Sequence, residues 1–270
     1  MAFLKSLLLS FSMFSTIPMP KVEWNKKNMR YMMCAFPLVG IVIGGLWSCW
    51  FLFGIKTLFF WNRHFSSHIF ALGLTLIPVL VSGGIHIDGF MDTCDALGSN
   101  ADREKKLEIL KDSHAGAFAV LACVIYFLSY FVLCHELCGY FYDSGEAYRL
   151  ADFFPPASIF VLSRLLSALS IAVFPAAKSN GLAYIFSSAG AKKFTVIWCS
   201  SFFIMISVFL IYFFRLSGIL LCSTSVIFFF FYYFMTKRSF GGITGDTAGW
   251  FVQMCEILCL LAHIIEKNFL

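Results

Sequence analysis

Three aspartates in one short segment are the residues whose types and spacing most directly indicate chemistry. Asp88, Asp92 and Asp95 stand at positions i, i+4 and i+7, so on a helix all three point from one face within two turns. Carboxylates this close repel one another, and a hard divalent cation held among them relieves the repulsion most simply. The spacing therefore predicts a metal-dependent site. Helix capping does not explain three aspartates on one face, because a helix end needs only one such residue.

Glycine-rich or polar stretches accompany acidic residues at three places in this apolar chain: residues 83–95, 110–116 and 241–249. Glycine lets the backbone approach a ligand closely and exposes N–H groups to anionic oxygens, especially where a helix begins. We call these stretches the first, second and third polar segments. They supply the predicted substrate-binding positions Gly83, Gly84, Asp112, Ser113, Gly241, Gly242, Thr244 and Gly245.

Phosphoryl or nucleotidyl transfer is the chemistry that such segments support. It requires alignment of the reactants and neutralisation of phosphate charge, and Mg²⁺ held by carboxylates contributes to both. The candidate metal ligands are Asp88, Asp92, Asp95, Asp112, Asp246 and Glu256. The candidate catalytic residues are His86, Asp88, Asp92 and Asp95, with His86 orienting a ligand, moving a proton or serving only as a hydrogen-bonded structural residue.

Several of these residues have simpler alternative roles. Asp112 suits a solvated loop edge or a helix cap, and Asp246 suits a turn. Arg164 and Glu256 stand inside apolar runs, where an ionisable group normally faces a partner or a wet cavity. These two are therefore either functional residues or an ion pair with each other.

Composition places the chain in a membrane. Of its 270 residues, 60% are hydrophobic, 34 are Phe and only 13% are charged. With no linker or internal repeat, residues 1–270 are expected to form a single domain, an all-α integral membrane protein built as a polytopic bundle of about seven transmembrane helices. The apolar runs lie near residues 32–54, 68–85, 115–138, 157–175, 194–213, 218–235 and 248–265.

The distribution of basic residues predicts the orientation. With the N-terminus in the cytoplasm, most of the 20 Lys and Arg fall on cytoplasmic segments, and all three polar segments lie on that side. The substrates then come from the cytosol and the bilayer is the other partner. No Lys/Arg block is dense enough for nucleic-acid binding. Whether the chain forms a homo-oligomer stays open.

Taken together, the motifs resemble one enzyme family. Gly84-Ile-His-Ile-Asp-Gly-Phe-Met-Asp-Thr-Cys-Asp95, Glu108-Ile-Leu-Lys-Asp-Ser-His-Ala-Gly116 and Gly241-Gly-Ile-Thr-Gly-Asp246 are similar, in order and spacing, to the signatures of adenosylcobinamide-GDP ribazoletransferases, the cobalamin (5'-phosphate) synthases. Further agreement comes from Phe14-Ser-Thr-Ile-Pro-Met-Pro20 and Phe36-Pro-Leu-Val-Gly40. The resemblance covers nearly the whole chain.

The resemblance implies a Mg²⁺-dependent enzyme of the bacterial cytoplasmic (inner) membrane. Such an enzyme joins adenosylcobinamide-GDP to alpha-ribazole or its 5'-phosphate and releases GMP, with the ribose 3'-hydroxyl attacking the phosphorus that bears cobinamide. It also implies that Arg164 neutralises a phosphate oxygen. The chain departs from the family pattern at His114, where arginine is usual, and at Gln253, where an acidic residue is common.

Rival classes also use acids on membrane helices. A CDP-alcohol phosphotransferase would carry an Ala-Arg pair after the first Asp-Gly, where this chain has Phe90 and Met91. A prenyltransferase would lack a partner like the third polar segment. A cation-coupled transporter would place its acids near mid-bilayer, whereas these cluster at one membrane face.

Overall fold

The computed structural model describes residues 2–61, 67–143, 150–178 and 181–269, and most of these residues are helical. The predicted all-α class is confirmed. A 3₁₀ turn at Leu150–Phe153 leads into the eighth of eleven helices in these ranges. The helices are α1 (Ala2–Phe14), α2 (Lys26–Met29), α3 (Met32–Trp61), α4 (Ser67–Ser82), α5 (Ile85–Gly98), α6 (Arg103–Ile109), α7 (Ala117–Asp143), α8 (Phe154–Val173), α9 (Leu182–Ala189), α10 (Lys192–Ser239) and α11 (Gly245–Phe269).

Five of the described helices are long and apolar enough to cross a membrane. They are α3, α7, α8 with the turn before it, α10 and α11. Helices α4 and α5 pass the same test only as a pair, and they are bent by 94° relative to each other. This composition confirms a polytopic membrane protein.

Helix α10 is interrupted at Arg215, whose φ of 39° and ψ of −103° are not helical. A Cβ built on Gly218 would lie 2.6 Å from the backbone nitrogen of Ile211. In a straight helix, seven residues span about 10 Å, so the chain must fold back at Arg215. The two halves match the runs expected at 194–213 and 218–235. The expected number of seven membrane crossings is reached if α4 and each half of α10 cross the membrane separately. That number stays a prediction.

Helix α8 lies at the centre of the bundle, packed against α3, α10 and α11. Its contact with α3 is made through backbone, because a Cβ on Gly40 would stand 2.9 Å from the carbonyl carbon of Phe160, and one on Gly44 would stand 2.7 Å from the carbonyl oxygen of Ala157. Small residues at such crossings allow the close van der Waals packing that holds helices together in lipid. The site residues therefore rest on a tightly packed core.

The loops that carry the polar segments meet at one end of the bundle. Lys178 Nζ donates to the Leu107 carbonyl over 2.8 Å, and Arg103 Nε donates to the Phe240 carbonyl over 2.8 Å. Basic residues predicted to be cytoplasmic lie in these loops and helix ends. The three segments, which are far apart in the chain, are thus brought to a common face.

Candidate active site

A sharp bend between α4 and α5 sets the direction of the first polar segment. Gly83 and Gly84 have φ values of 66° and 75°, a left-handed backbone that favours glycine. Thr16 satisfies the exposed end of α4, since its N–H donates to the Val81 carbonyl over 2.8 Å and its hydroxyl to the Leu80 carbonyl over 3.0 Å. The bend turns α5 across the end of the bundle.

Helices α5 and α11 then cross with their backbones in contact. A Cβ on Gly89 would lie 2.8 Å from the Cα of Asp246, and one on Gly249 would lie 3.2 Å from the His86 carbonyl oxygen. Only glycine at these two positions permits so close a crossing. It brings the third polar segment directly beside the first.

Four of the predicted aspartates share one electrostatic environment as a result. The carboxylate of Asp92 interacts with those of Asp88, Asp95 and Asp246. Asp88 is exposed, whereas the other three are partly buried. We call these four residues the aspartate cluster. Repulsion between such partly buried carboxylates is relieved either by a bound cation or by protonation.

Asp95 has a second role at the start of α7. Its Oδ1 accepts a hydrogen bond from the Ala119 N–H over 3.4 Å. The carboxylate also occupies the space in which a side chain on Gly116 would lie. An anion at this position satisfies helix N–H groups and complements the helix dipole. Asp95 therefore ties the second polar segment to the first.

The third polar segment is shaped by reciprocal hydrogen bonds at the start of α11. The Thr244 N–H donates to Thr247 Oγ1 over 2.9 Å, and the Thr247 N–H donates to Thr244 Oγ1 over 3.1 Å. The Thr244 hydroxyl also approaches Asp246 Oδ2 at 3.4 Å. This arrangement resembles a capping box and fixes Asp246 in the first turn of α11.

The glycines that precede it allow close contacts with other loops. Gly241 has a φ of 76°, and the guanidinium group of Arg103 packs against it where a side chain would otherwise project. Gly242 lies against the Pro175 carbonyl, and the Ile243 N–H donates to that same oxygen over 2.8 Å. Gly241 and Gly242 thus serve packing in this structure, and their contact with substrate stays a prediction.

Lys178 is a residue near the site that the sequence did not single out. Its ammonium group lies within electrostatic range of Asp246 and Lys111. Burial lowers the pKa of Lys178 from its ordinary value, and the charge of Lys111 lowers it further. Paired lysines beside a carboxylate cluster suit an anionic substrate. In the sequence, the only feature that marks Lys178 is its position in a loop between two apolar runs.

A cavity of about 260 Å³ opens beside the aspartate cluster. His86, Asp88, Gly245 and Asp246 line its polar end, and most of its remaining wall is apolar. His86 is buried, and its Nε2 has no hydrogen-bond partner. The cavity thus lies between two predicted catalytic residues of α5, His86 and Asp88, and the predicted metal ligand Asp246 of α11.

The second polar segment lies further out. Asp112 and Ser113 are exposed, and Asp112 Oδ1 is 2.7 Å from His114 Nδ1. Hydrogen bonds from the His114 ring and backbone N–H lower the pKa of Asp112 below its ordinary value. Asp112 also interacts with Lys105. Its partners are thus basic side chains, and direct binding of metal or substrate by Asp112 and Ser113 stays a prediction.

Arg164 and Glu256 form a buried ion pair. Arg164 NH1 lies 2.6 Å from Glu256 Oε1, and both side chains are at most 1% exposed. Ser163 donates to the same carboxylate oxygen over 3.1 Å. The sequence allowed either functional roles for Arg164 and Glu256 or an ion pair between them, and the structure shows the ion pair. Their direct contact with phosphate or metal stays a prediction, and the ion pair is sufficient to explain their place in the core.

Comparison with known proteins decides the family. The profile of the family described as cobalamin-5-phosphate synthase matches residues 6–264. The chain belongs to this family. It is 38% identical to the adenosylcobinamide-GDP ribazoletransferase of Lachnoclostridium phytofermentans over 99% of this chain and 96% of that relative. It is 36% identical to the enzyme of the same name from Clostridium botulinum over 96% of each chain. No solved structure matches the chain.

Membership of the cobalamin-5-phosphate synthase family confirms the resemblance drawn from the motifs. It favours that class over the CDP-alcohol phosphotransferase, the prenyltransferase and the transporter. The departure from the family pattern at Gln253 has a local explanation, since Gln253 is buried on α11 and its Oε1 accepts a hydrogen bond of 2.5 Å from the Tyr126 hydroxyl. The neutral Gln253 side chain thus pairs with a neutral hydrogen-bond donor, the Tyr126 hydroxyl.

The donor set of the aspartate cluster fits Mg²⁺ in its chemistry. Carboxylate oxygens are the ligands that the ion prefers. Within the described ranges, no three His, Cys, Asp or Glu side chains are placed so that they could hold a metal ion together. Mg²⁺ commonly binds through one or two carboxylates together with substrate phosphates and water, so a partial protein site is the expected form.

Proposed function

We propose that the chain transfers the adenosylcobinamide phosphate group of adenosylcobinamide-GDP to alpha-ribazole or alpha-ribazole 5'-phosphate. GMP is released, and the product is adenosylcobalamin or its 5'-phosphate. The observation that carries the proposal is the interaction of Asp92 with Asp88, Asp95 and Asp246, two of which, Asp88 and Asp246, line one cavity. The names of the relatives supply the donor and the acceptor.

In the proposed reaction, one P–O bond forms and one breaks. The ribose 3'-hydroxyl oxygen of the acceptor bonds to the phosphorus that bears cobinamide, and the bond from this phosphorus to the oxygen of GMP breaks. The hydroxyl proton passes to a carboxylate of the aspartate cluster, and GMP leaves as an anion. Little covalent work is required of the protein in such a transfer, so position and charge dominate.

Mg²⁺ is part of the proposal, and one or two carboxylates from Asp88, Asp92 and Asp246 would hold it together with the substrate phosphates. When bound, it neutralises the diphosphate charge and assists departure of GMP. Lys178 and Lys111 neutralise phosphate oxygens from the opposite loops. Asp95 accepts a hydrogen bond from the start of α7 and so holds this helix beside the other three aspartates.

We also propose that this face of the bundle is cytoplasmic and that the membrane is the bacterial cytoplasmic membrane. The support is the positive-inside rule. Residues from Lys26 to Arg30, from Arg103 to Lys111 and from Lys237 to Arg238 carry basic side chains in the loops and helix ends of this face. Both substrates are then reached from the cytosol.

The test uses the full chain, purified and reconstituted in lipid nanodiscs. We expect GMP release from adenosylcobinamide-GDP only when both alpha-ribazole and Mg²⁺ are present. Asp92→Asn should lower kcat at least 100-fold and raise the Mg²⁺ concentration needed for half-maximal rate. Glu104→Gln, an exposed acid on α6, is the matched control and should keep wild-type activity. GMP release without acceptor or metal, or full activity of Asp92→Asn, would contradict the proposal.

A further inference from the structure

The cavity beside the aspartate cluster has walls made largely of aromatic rings. Phe14 at the end of α1 lies 4.4 Å from Phe36 and 6.2 Å from Phe186, measured between ring centroids. The ring of His86 stacks on Phe14 at 6.0 Å and lies 5.5 Å from Phe36. Phe14, Phe36, Phe186 and His86 are all at most 8% exposed. Such rings form a preorganised surface for a flat ligand.

Apart from His86, Asp88, Asp246 and the buried Ser167, the side chains that line this cavity are apolar. Met13, Met33, Ile171, Ala183 and Ala248 complete the apolar wall. Asp88 and Asp246, two members of the aspartate cluster, supply the charged part of the lining. A ligand that fits must therefore be apolar at one end and reach a hydroxyl or phosphate toward the carboxylates at the other.

His86 provides a second observation that points to a ligand. Its side chain is 5% exposed and lines the cavity, yet its Nε2 has no hydrogen-bond partner. A buried polar atom without a partner is costly and is normally satisfied by a bound group. A ligand with one ring nitrogen at this depth would satisfy it.

We propose that this cavity binds the base of the nucleoside acceptor, the dimethylbenzimidazole ring of alpha-ribazole. This inference rests on the proposed function and assigns one of its two substrates to a subsite. The ring stacks among Phe14, Phe36 and Phe186, and its free ring nitrogen pairs with His86 Nε2. The attached ribose then points toward Asp88 and Asp246, where its 3'-hydroxyl meets the phosphorus.

Size and polarity exclude the other large parts of the substrates. Pockets for drug-sized ligands run from roughly 300 to 1,000 Å³, so a cavity of 260 Å³ takes a bicyclic ring and not a corrin. The guanine of the donor is similar in size, but its amide and amino groups would lose their hydrogen bonds to water against this apolar wall. The dimethylbenzimidazole ring has two methyl groups and one free nitrogen, which match the wall and His86.

The decisive variant fills the cavity from α9. Ala183 is buried in the wall, whereas Ile185 on the same helix is 42% exposed. We expect Ala183→Trp to raise the KM for alpha-ribazole at least tenfold while the KM for adenosylcobinamide-GDP stays within twofold. Ile185→Trp, the matched control, should change neither constant. An equal rise in both constants, or an unchanged KM for alpha-ribazole in a folded variant, would overturn the assignment.

A second variant and a binding measurement keep the test independent of one substitution. Phe186→Leu removes one stacking ring and should weaken the acceptor about 5- to 100-fold, the range of base–aromatic stacking. In wild type, free 5,6-dimethylbenzimidazole should compete with alpha-ribazole, and guanosine should not. Competition by guanosine, or unchanged acceptor binding in Phe186→Leu, would contradict the inference.

The inference and the proposed function fail in different ways. A wild-type protein that releases no GMP from any mixture removes the proposed function. Equilibrium dialysis of 5,6-dimethylbenzimidazole against the wild type and Ala183→Trp then still tests the cavity. Binding to the wild type that Ala183→Trp weakens tenfold supports the subsite, and equal binding to both removes it.

Discussion

The backbone of Gly89 lies against that of Asp246, since a Cβ built on Gly89 would stand 2.8 Å from the Asp246 Cα and 2.8 Å from its carbonyl oxygen. These residues are 157 positions apart in the chain. Their contact sets the distance between α5 and α11. It also places Asp246 beside Asp88 and Asp92, so the crossing assembles the aspartate cluster.

Gly89→Ala should therefore separate the two helices. The methyl group meets backbone atoms, which cannot rotate away as a side chain would, and the aspartates move apart by a fraction of an ångström or more. Displacements of about 1 Å can cost about 100-fold in rate, and we expect kcat for GMP release to fall by roughly that factor. Gly45→Ala on α3 is the control, because a Cβ there meets no atom within 4 Å. Full activity of Gly89→Ala would show that the crossing is not needed.

Gly116→Ala should displace the Asp95 carboxylate from the start of α7. Asp95 occupies the space that the added methyl group would take, and its Oδ1 accepts the hydrogen bond from the Ala119 N–H. We expect a loss of about 1 kcal/mol in stability, typical of a lost helix cap, together with reduced GMP release. Thermal unfolding in detergent measures the first effect. Gly139→Ala on the same helix, where a Cβ meets nothing within 4 Å, should not show the loss.

Glu256→Gln should destabilise the fold by about 3–5 kcal/mol, since it leaves the Arg164 guanidinium buried beside a neutral partner. Joint replacement by Arg164→Met and Glu256→Leu should recover much of that loss, because neither charge then remains buried. Thermal unfolding of the three proteins tests this. The Mg²⁺ requirement of Glu256→Gln is the contrasting measurement: a folded variant of normal stability that needs more Mg²⁺ would identify Glu256 as a metal ligand.

His114→Ala should raise the pKa of Asp112 toward its ordinary value, since hydrogen bonds from His114 are what lower it. A carboxyl with a lowered pKa contributes stability above its unfolded pKa and loses that contribution as the pH falls through the folded value. The variant should thus protonate at higher pH than wild type. A ¹³C NMR titration of the aspartate carboxyls measures the shift. Ser113→Ala is the control, and an unchanged pKa in His114→Ala would assign the lowering to another group.

The sequence predicted which acids lie on one helix because they are concentrated in a short motif. The i, i+4, i+7 spacing placed Asp88, Asp92 and Asp95 on one helix, which the structure confirms as α5. Apolar runs predicted the spanning helices, including the two halves of α10 on either side of Arg215. What spacing could not show was the direction of α5, because a 94° bend depends on the backbone of Gly83 and Gly84.

The roles of other residues could not be decided from the sequence, because each role depends on which distant residue packs against it. Arg164 and Glu256 stand 92 positions apart, and only packing of α8 against α11 reveals them as partners. Lys178 had no distinguishing motif, and its loop had to fold over Leu107 before it approached Asp246. The aromatic wall was equally hidden, since Phe14, Phe36 and Phe186 belong to three separate helices.

The sequence by itself determined the class of protein, its membrane setting and the identity of the acidic residues, because hydropathy and short motifs are local properties that survive without coordinates. Tertiary structure decided which acids meet, which charges neutralise each other and where a cavity remains. The physical reason is that these depend on backbone contacts between distant helices, such as Gly89 on Asp246, whose geometry is set by the packing of the whole bundle.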